Sequence, residues 1–103
     1  MYEMIIESIR VSLVNYQRVV ILRAKETGKY LPIWIGSHEA DSIAYKLQKI
    51  SAPRPLTHDL LHDVITELNA KVNKIIISGI DENTFFAKIE LINENSILEI
   101  DCR

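Results

Sequence analysis

The most restrictive feature of this 103-residue chain is a hydrophobic period that changes twice. In "SIRVSLV", residues 8–14, Ile9, Val11 and Leu13 point one way and Ser8, Arg10 and Ser12 the other, the period of a half-buried strand. From Ser37 the spacing becomes three and four. Ala40, Ile43, Ala44, Leu47 and Ile50 form one helical stripe, and Leu60, Leu61, Val64, Ile65 and Leu68 form a second. Strand character returns in "KVNKIIISGI", "TFFAKIELI" and "SILEIDC". The pattern predicts strands, then helices, then strands.

Local signals place the boundaries. "NYQ" interrupts the first alternation, "RVVILRAK" resumes it with β-branched residues, and "ETGK" supplies a glycine turn before "YLPIWIG". Pro32 cannot donate to a ladder, so that third strand is an edge or begins there. The three runs predict an antiparallel meander. Gly36 and Ser37 offer an N-cap, with Glu39 and Asp41 in the first turn, where carboxylates suit the helix dipole. The first helix is expected over Ser37–Ile50. "SAPRP" ends it, because each proline biases its predecessor away from helical torsions. Thr57 then caps a second helix with an inward stripe from Leu60 to Leu68. The run Ile75-Ile76-Ile77 suggests cover on both faces of its strand, and "NEN" is the turn of a final hairpin. The expected fold is α+β in the order βββααβββ: a single domain with a largely antiparallel or mixed β-sheet and two helices packed on it.

Val19–Asp41 and the segment from Phe85 to the C-terminus share a plan of strand, polar turn and strand. Asp101 stands where Gly36 does in the first copy, and Arg103 where His38 does. The sequence stops where a counterpart of the first helix would begin. An apolar patch is therefore expected beside the last strand, on the face that the first helix covers in the first copy. Two helices are too few to cover both faces of six strands, so a homo-oligomer, with a dimer favoured, is expected.

Composition narrows the partners. A net charge of −2 and a pI of about 5.9 mean that nucleic acid would have to be met by a local patch. Lys71, Lys74 and Lys88 are scattered without interleaved aromatics, and Trp34 reads as core or interface packing rather than a stacking platform. Phe85 and Phe86 must face opposite ways on a strand. A lone cysteine, Cys102, excludes an internal disulfide, suits a reducing compartment and has no adjacent histidine to activate it. No apolar run approaches the roughly 20 residues of a membrane span, and "MYEMIIESIR" lacks the basic start of a signal peptide. A cytoplasmic location without a membrane partner is expected.

"RPLTHDLLHD", Arg54–Asp63, carries two His-Asp pairs four residues apart. Thr57 can cap the helix start, and Asp59 favours its positive end. His58 beside that carboxylate can be oriented as a general base or a metal ligand. Arg54 can pair with a phosphate, or equally with an acidic helix start. His58 and His62 have a spacing that zinc could use, but no third ligand is recognisable nearby. At about 100° per residue the second pair falls on the helix surface. Glu39 and Asp41 diverge by about half a turn. Glu39 is the better candidate to join Asp59 in holding magnesium or manganese, hard cations that take oxygen ligands.

The segment "LPIWIGSHEADSIAYKLQKISAPRPLTHDLLHDVITELNAKV" resembles the core motif of the bifunctional nuclease (BFN) domain family, most specifically in "LPIWIG" leading into "EADSIA" and in "RPLTHDLL". The resemblance runs from Val19 to about Arg103. It implies hydrolysis of DNA and RNA, with Thr57, His58 and Asp59 inside the family motif and His62 outside it. Family members continue with an Arg-Pro-Ser-Asp-Ala stretch, of which Cys102-Arg103 matches only the first step. Two functional expectations follow. One is a nuclease with His58, Asp59 and Glu39 catalytic, Arg54 and Thr57 binding substrate, and Asp59 and Glu39 on the metal. The other is a non-enzymatic binding or assembly module with a regulatory role.

Overall fold

Residues forced into left-handed torsions set where elements end in the computed structural model, which describes residues 1–103. Gly28, at φ 72°, turns the chain from β2 (Arg18–Ala24) into β3 (Tyr30–Ile35). Glu82 and Asn83, at φ 49° and 62°, join β4 (Ala70–Asp81) to β5 (Thr84–Asn93), the torsions of a two-residue hairpin whose twist matches its strands. With β1 (Met4–Val11), α1 (Ser37–Leu47), α2 (Thr57–Glu67) and β6 (Ser96–Cys102), the order is the expected βββααβββ, an α+β fold. All strand pairs are antiparallel. The strands form two three-stranded sheets rather than one sheet of six: β1-β2-β3 and β4-β5-β6. Each meander closes its own ladder. The chain divides into two compact units, Met1–His58 and Asp59–Arg103.

In the first unit β3 is an edge, as Pro32 required, and Pro32 lies opposite Ile21. Burial alternates along β3, with Leu31, Ile33 and Ile35 sheltered and Tyr30, Pro32 and Trp34 exposed. The register puts Val20 opposite Ile33 and Leu22 opposite Leu31, so the sheltered face continues across β2 to buried Val20 and Ala24. α1 packs on β1 and β2 and buries Ala40 and Ser42. It ends three residues before the expected Ile50. Lys49 takes a left-handed φ of 57°, the Ile50 N–H donates to the Tyr45 carbonyl and the Lys49 N–H to that of Lys46. This is the Schellman arrangement, which favours glycine at the left-handed position. Lys49→Gly should therefore raise stability by about 0.5–1 kcal/mol, because a Cβ in that conformation costs on the order of 1 kcal/mol. Urea denaturation of the two proteins measures the difference.

The second unit builds a sheet with two unlike faces. Register places Ile75, Ile77 and Ile80 opposite Ile89, Ala87 and Phe85, and Ile100 and Leu98 opposite Ile89 and Leu91. These side chains share one continuous apolar face. The other face carries Lys74, Lys88, Glu90, Glu99 and Asp101, with Lys88 paired to Glu99 at 3.4 Å. The isoleucine run is thus not covered on both faces as expected; Ile75 is 61% exposed. Nor does α2 bury its stripe: none of its residues is buried, and Leu60, Leu61, Val64 and Leu68 are all exposed. Only Ala87 and Leu91, on the central strand, are buried here.

The internal repeat survives as register. Ile33 faces Val20 in the first sheet as Leu98 faces Leu91 in the second, and both central partners are buried. Leu98 and Ile100 are nevertheless 46% and 48% exposed, where Ile33 and Ile35 are sheltered. The apolar patch expected beside the last strand is present, on the expected face.

Candidate functional site

"RPL" breaks the helical path before α2, and its first turn then presents Thr57, His58 and Asp59 in succession. Arg54 lies exposed in the bend just upstream. Thr57 is the first helical residue rather than a residue preceding the helix. Thr57 and His58 are exposed, whereas Asp59 is half-buried and held by a contact within the chain. The first N–H groups of a helix have no intrahelical acceptor, and they sum to a partial positive charge. A first turn bearing an imidazole, a carboxylate and an upstream guanidinium can orient a phosphate and take a proton from water beside it.

The second His-Asp pair occupies the outside of α2. His62 Nδ1 lies 3.9 Å from Asp63 Oδ1, both side chains are exposed, and the His62 carbonyl accepts a hydrogen bond from the Thr66 hydroxyl. This is the helix-surface placement that the spacing predicted.

Glu39 sits in the first turn of α1 and has its carboxylate folded back against Gly36, in the space a Cβ at that position would need. An acid at the third helical position reaching back to the N-cap is half of a capping box. That posture serves the helix start and directs the carboxylate along its own chain. Asp41 is exposed one half-turn further on. Nowhere do three or more His, Cys, Asp or Glu side chains converge to hold a metal ion. The residues present therefore do not make a closed magnesium or manganese site, and no chemical step is assigned to a metal.

Of the two packing roles expected for Trp34, the structure removes the core one. The residue is 61% exposed, so it is not core, and its indole Nε1 donates to Gln17 Oε1 at 3.0 Å. Strand alternation held the signal: Trp34 shares a parity with Pro32, not with the sheltered Ile33 and Ile35.

The acidity of Cys102 is shifted. Partial burial, and secondly the neighbouring Asp101 carboxylate, push its thiol pKa up. The thiolate is the reactive form, so labelling by a disulfide reagent should reach half-rate at a higher pH than for a free thiol. Asp101→Asn should move that midpoint back down, as a stopped-flow pH series would reveal.

Two kinds of relative bear on this geometry. Residues 20–103 match the family model described as bifunctional nuclease domain. The chain is also 42% identical over 89 residues to a protein of Mycobacterium tuberculosis strain CDC 1551 / Oshkosh and, to the same extent, to one of strain ATCC 25618 / H37Rv, both described as uncharacterized. The alignment covers 86% of this chain and 54% of each relative, so the chain spans about half the length of the curated relatives it matches. No helix is long and apolar enough to cross a membrane.

Proposed function

The chain belongs to the bifunctional nuclease domain family, and from that premise we propose that it hydrolyses phosphodiester bonds of nucleic acid at the start of α2. The observation that carries this reading is the sequence Thr57-His58-Asp59 in the first turn of a helix, with Arg54 immediately upstream. His58 accepts the proton of the attacking water. As the P–O bond to the leaving sugar oxygen breaks, that oxygen takes up a proton from the imidazolium or from solvent, leaving a phosphomonoester and a hydroxyl. Asp59, held in place by the fold, orients the imidazole. Arg54 and the positive end of the helix dipole receive the phosphate, whose charge grows as the water adds. The test is cleavage of labelled DNA and RNA by highly purified chain, with and without added magnesium or manganese. A His58→Ala, Asp59→Ala double variant purified identically is the control, and equal cleavage by both would assign the activity to a contaminant.

A second reading, assembly without catalysis, is favoured by the apolar face of β4-β5-β6 and its exposed Ile75, Leu98 and Ile100. In that reading two copies pair these faces as a symmetric dimer, the commonest closed arrangement.

A further inference from the structure

We propose that the open face of the first sheet binds single-stranded nucleic acid, with Tyr30 and Trp34 as stacking platforms. The acidic balance of the whole chain conceals an uneven distribution. Met1–His58 holds eight Lys and Arg against five Asp and Glu, whereas Asp59–Arg103 holds four against nine. All the tyrosines and the single tryptophan also lie in the basic unit.

Within that unit the aromatic and cationic groups share a surface. Tyr30, Pro32 and Trp34 project from the same side of edge strand β3, away from the sheltered Ile33, and Tyr30 and Trp34 are 62% and 61% exposed. Four residues of strand separate the two rings by about 13 Å, far enough apart to take different bases. The hydrogen bond to Gln17 holds the indole by its Nε1 edge while most of the side chain stays exposed. Across the register from Trp34 stands Val19 and then Arg10, two strand spacings or about 10 Å away. Arg10 is exposed and makes no ion pair, and Lys29, beside Tyr30, is likewise exposed and unpaired. By contrast Arg23 and Lys25 are neutralised by Glu7 and Glu3 at 2.6 and 2.7 Å. A row of aromatic surface with an uncommitted cation at each end suits bases stacked on the rings and phosphates beyond them. A duplex hides its base faces, so the surface selects single strands.

The inference is independent of cleavage, and its test separates the two. Because Trp34 is the only tryptophan, its fluorescence reports this face alone. The full chain is titrated with a short oligothymidylate at low salt in the presence of a chelator. The expected result is saturable quenching that weakens steeply as salt is added. Anisotropy of the labelled oligonucleotide should show affinity at least about tenfold lower for Trp34→Ala and for Tyr30→Ala, with Trp34→Phe near the parent because a ring is retained. The His58→Ala, Asp59→Ala variant should bind normally whether or not the parent cleaves. Absence of quenching, unchanged affinity in a folded Trp34→Ala protein, or equal binding of duplex would overturn the proposal. So would a blue shift of Trp34 emission with rising protein concentration alone, which would place a second copy on this face.

Discussion

His58→Ala and Asp59→Asn are each expected to lower the proposed hydrolysis by at least about a hundredfold, while His62→Ala and Asp63→Asn should leave both activity and folding nearly unchanged. The expected asymmetry comes from helix position, since the two pairs are chemically alike. The first pair lies in the first helical turn, where the dipole favours anions, and its carboxylate is half-buried and held. The second lies a full turn along the helix in solvent, with no anion-binding backbone near it. A hundredfold loss corresponds to about 2.7 kcal/mol of transition-state stabilisation, within the usual range for a positioned acid or base. Initial rates for the four variants under identical conditions measure the pattern. Equal losses from both pairs would mean that the two histidines act together, and loss from neither would reduce the stretch to a helix start.

Charging the apolar face of the second sheet is expected to abolish self-association. Leu98 and Ile100 stand next to Leu91 and Ile89 in register, and Ile75 completes the row on the far strand. Seven register positions on three strands span about 23 Å by 14 Å. Side-chain relief enlarges this, so two such faces bury on the order of 1,000 Å², the lower end for a specific interface. Micromolar dimerisation is therefore expected of the parent. A Leu98→Glu, Ile100→Glu protein would have to bury four carboxylates per dimer and should remain monomeric by light scattering at all workable concentrations. Both residues are half-exposed in the isolated chain, so their replacement should cost the monomer little. A parent that is monomeric throughout would remove the assembly reading.

The proposed hydrolytic site and the stacking surface respond to different variants. Substitutions at His58 and Asp59 leave the aromatic rings untouched, and those at Tyr30 and Trp34 leave the start of α2 untouched. A protein that binds but does not cleave would retain the sheet surface and lose the hydrolase.

What the sequence determined by itself was the order and kind of the elements, because each rests on local rules. The stripe from Ala40 to Leu47 and the prolines of "SAPRP" act over a few residues and need no partner elsewhere in the chain. The alternation in "SIRVSLV", by contrast, misplaced the first strand, which runs Met4–Val11 and leaves Leu13 in a turn, 88% exposed. The surface placement of His62 and Asp63 followed from helical rotation alone. What only the tertiary structure decided was which apolar residues are covered. Leu60 to Leu68 and Ile75 to Ile77 have the pattern of buried stripes, and yet they lie exposed or half-buried. Periodicity marks the face that is able to be buried, whereas burial depends on whether another element reaches it. The same holds for pairing and charge. The six strands read as one sheet and form two, because hydrogen-bond partners are chosen over distance. The basic character of Met1–His58 is invisible in a net charge of −2 until the fold divides the chain between His58 and Asp59.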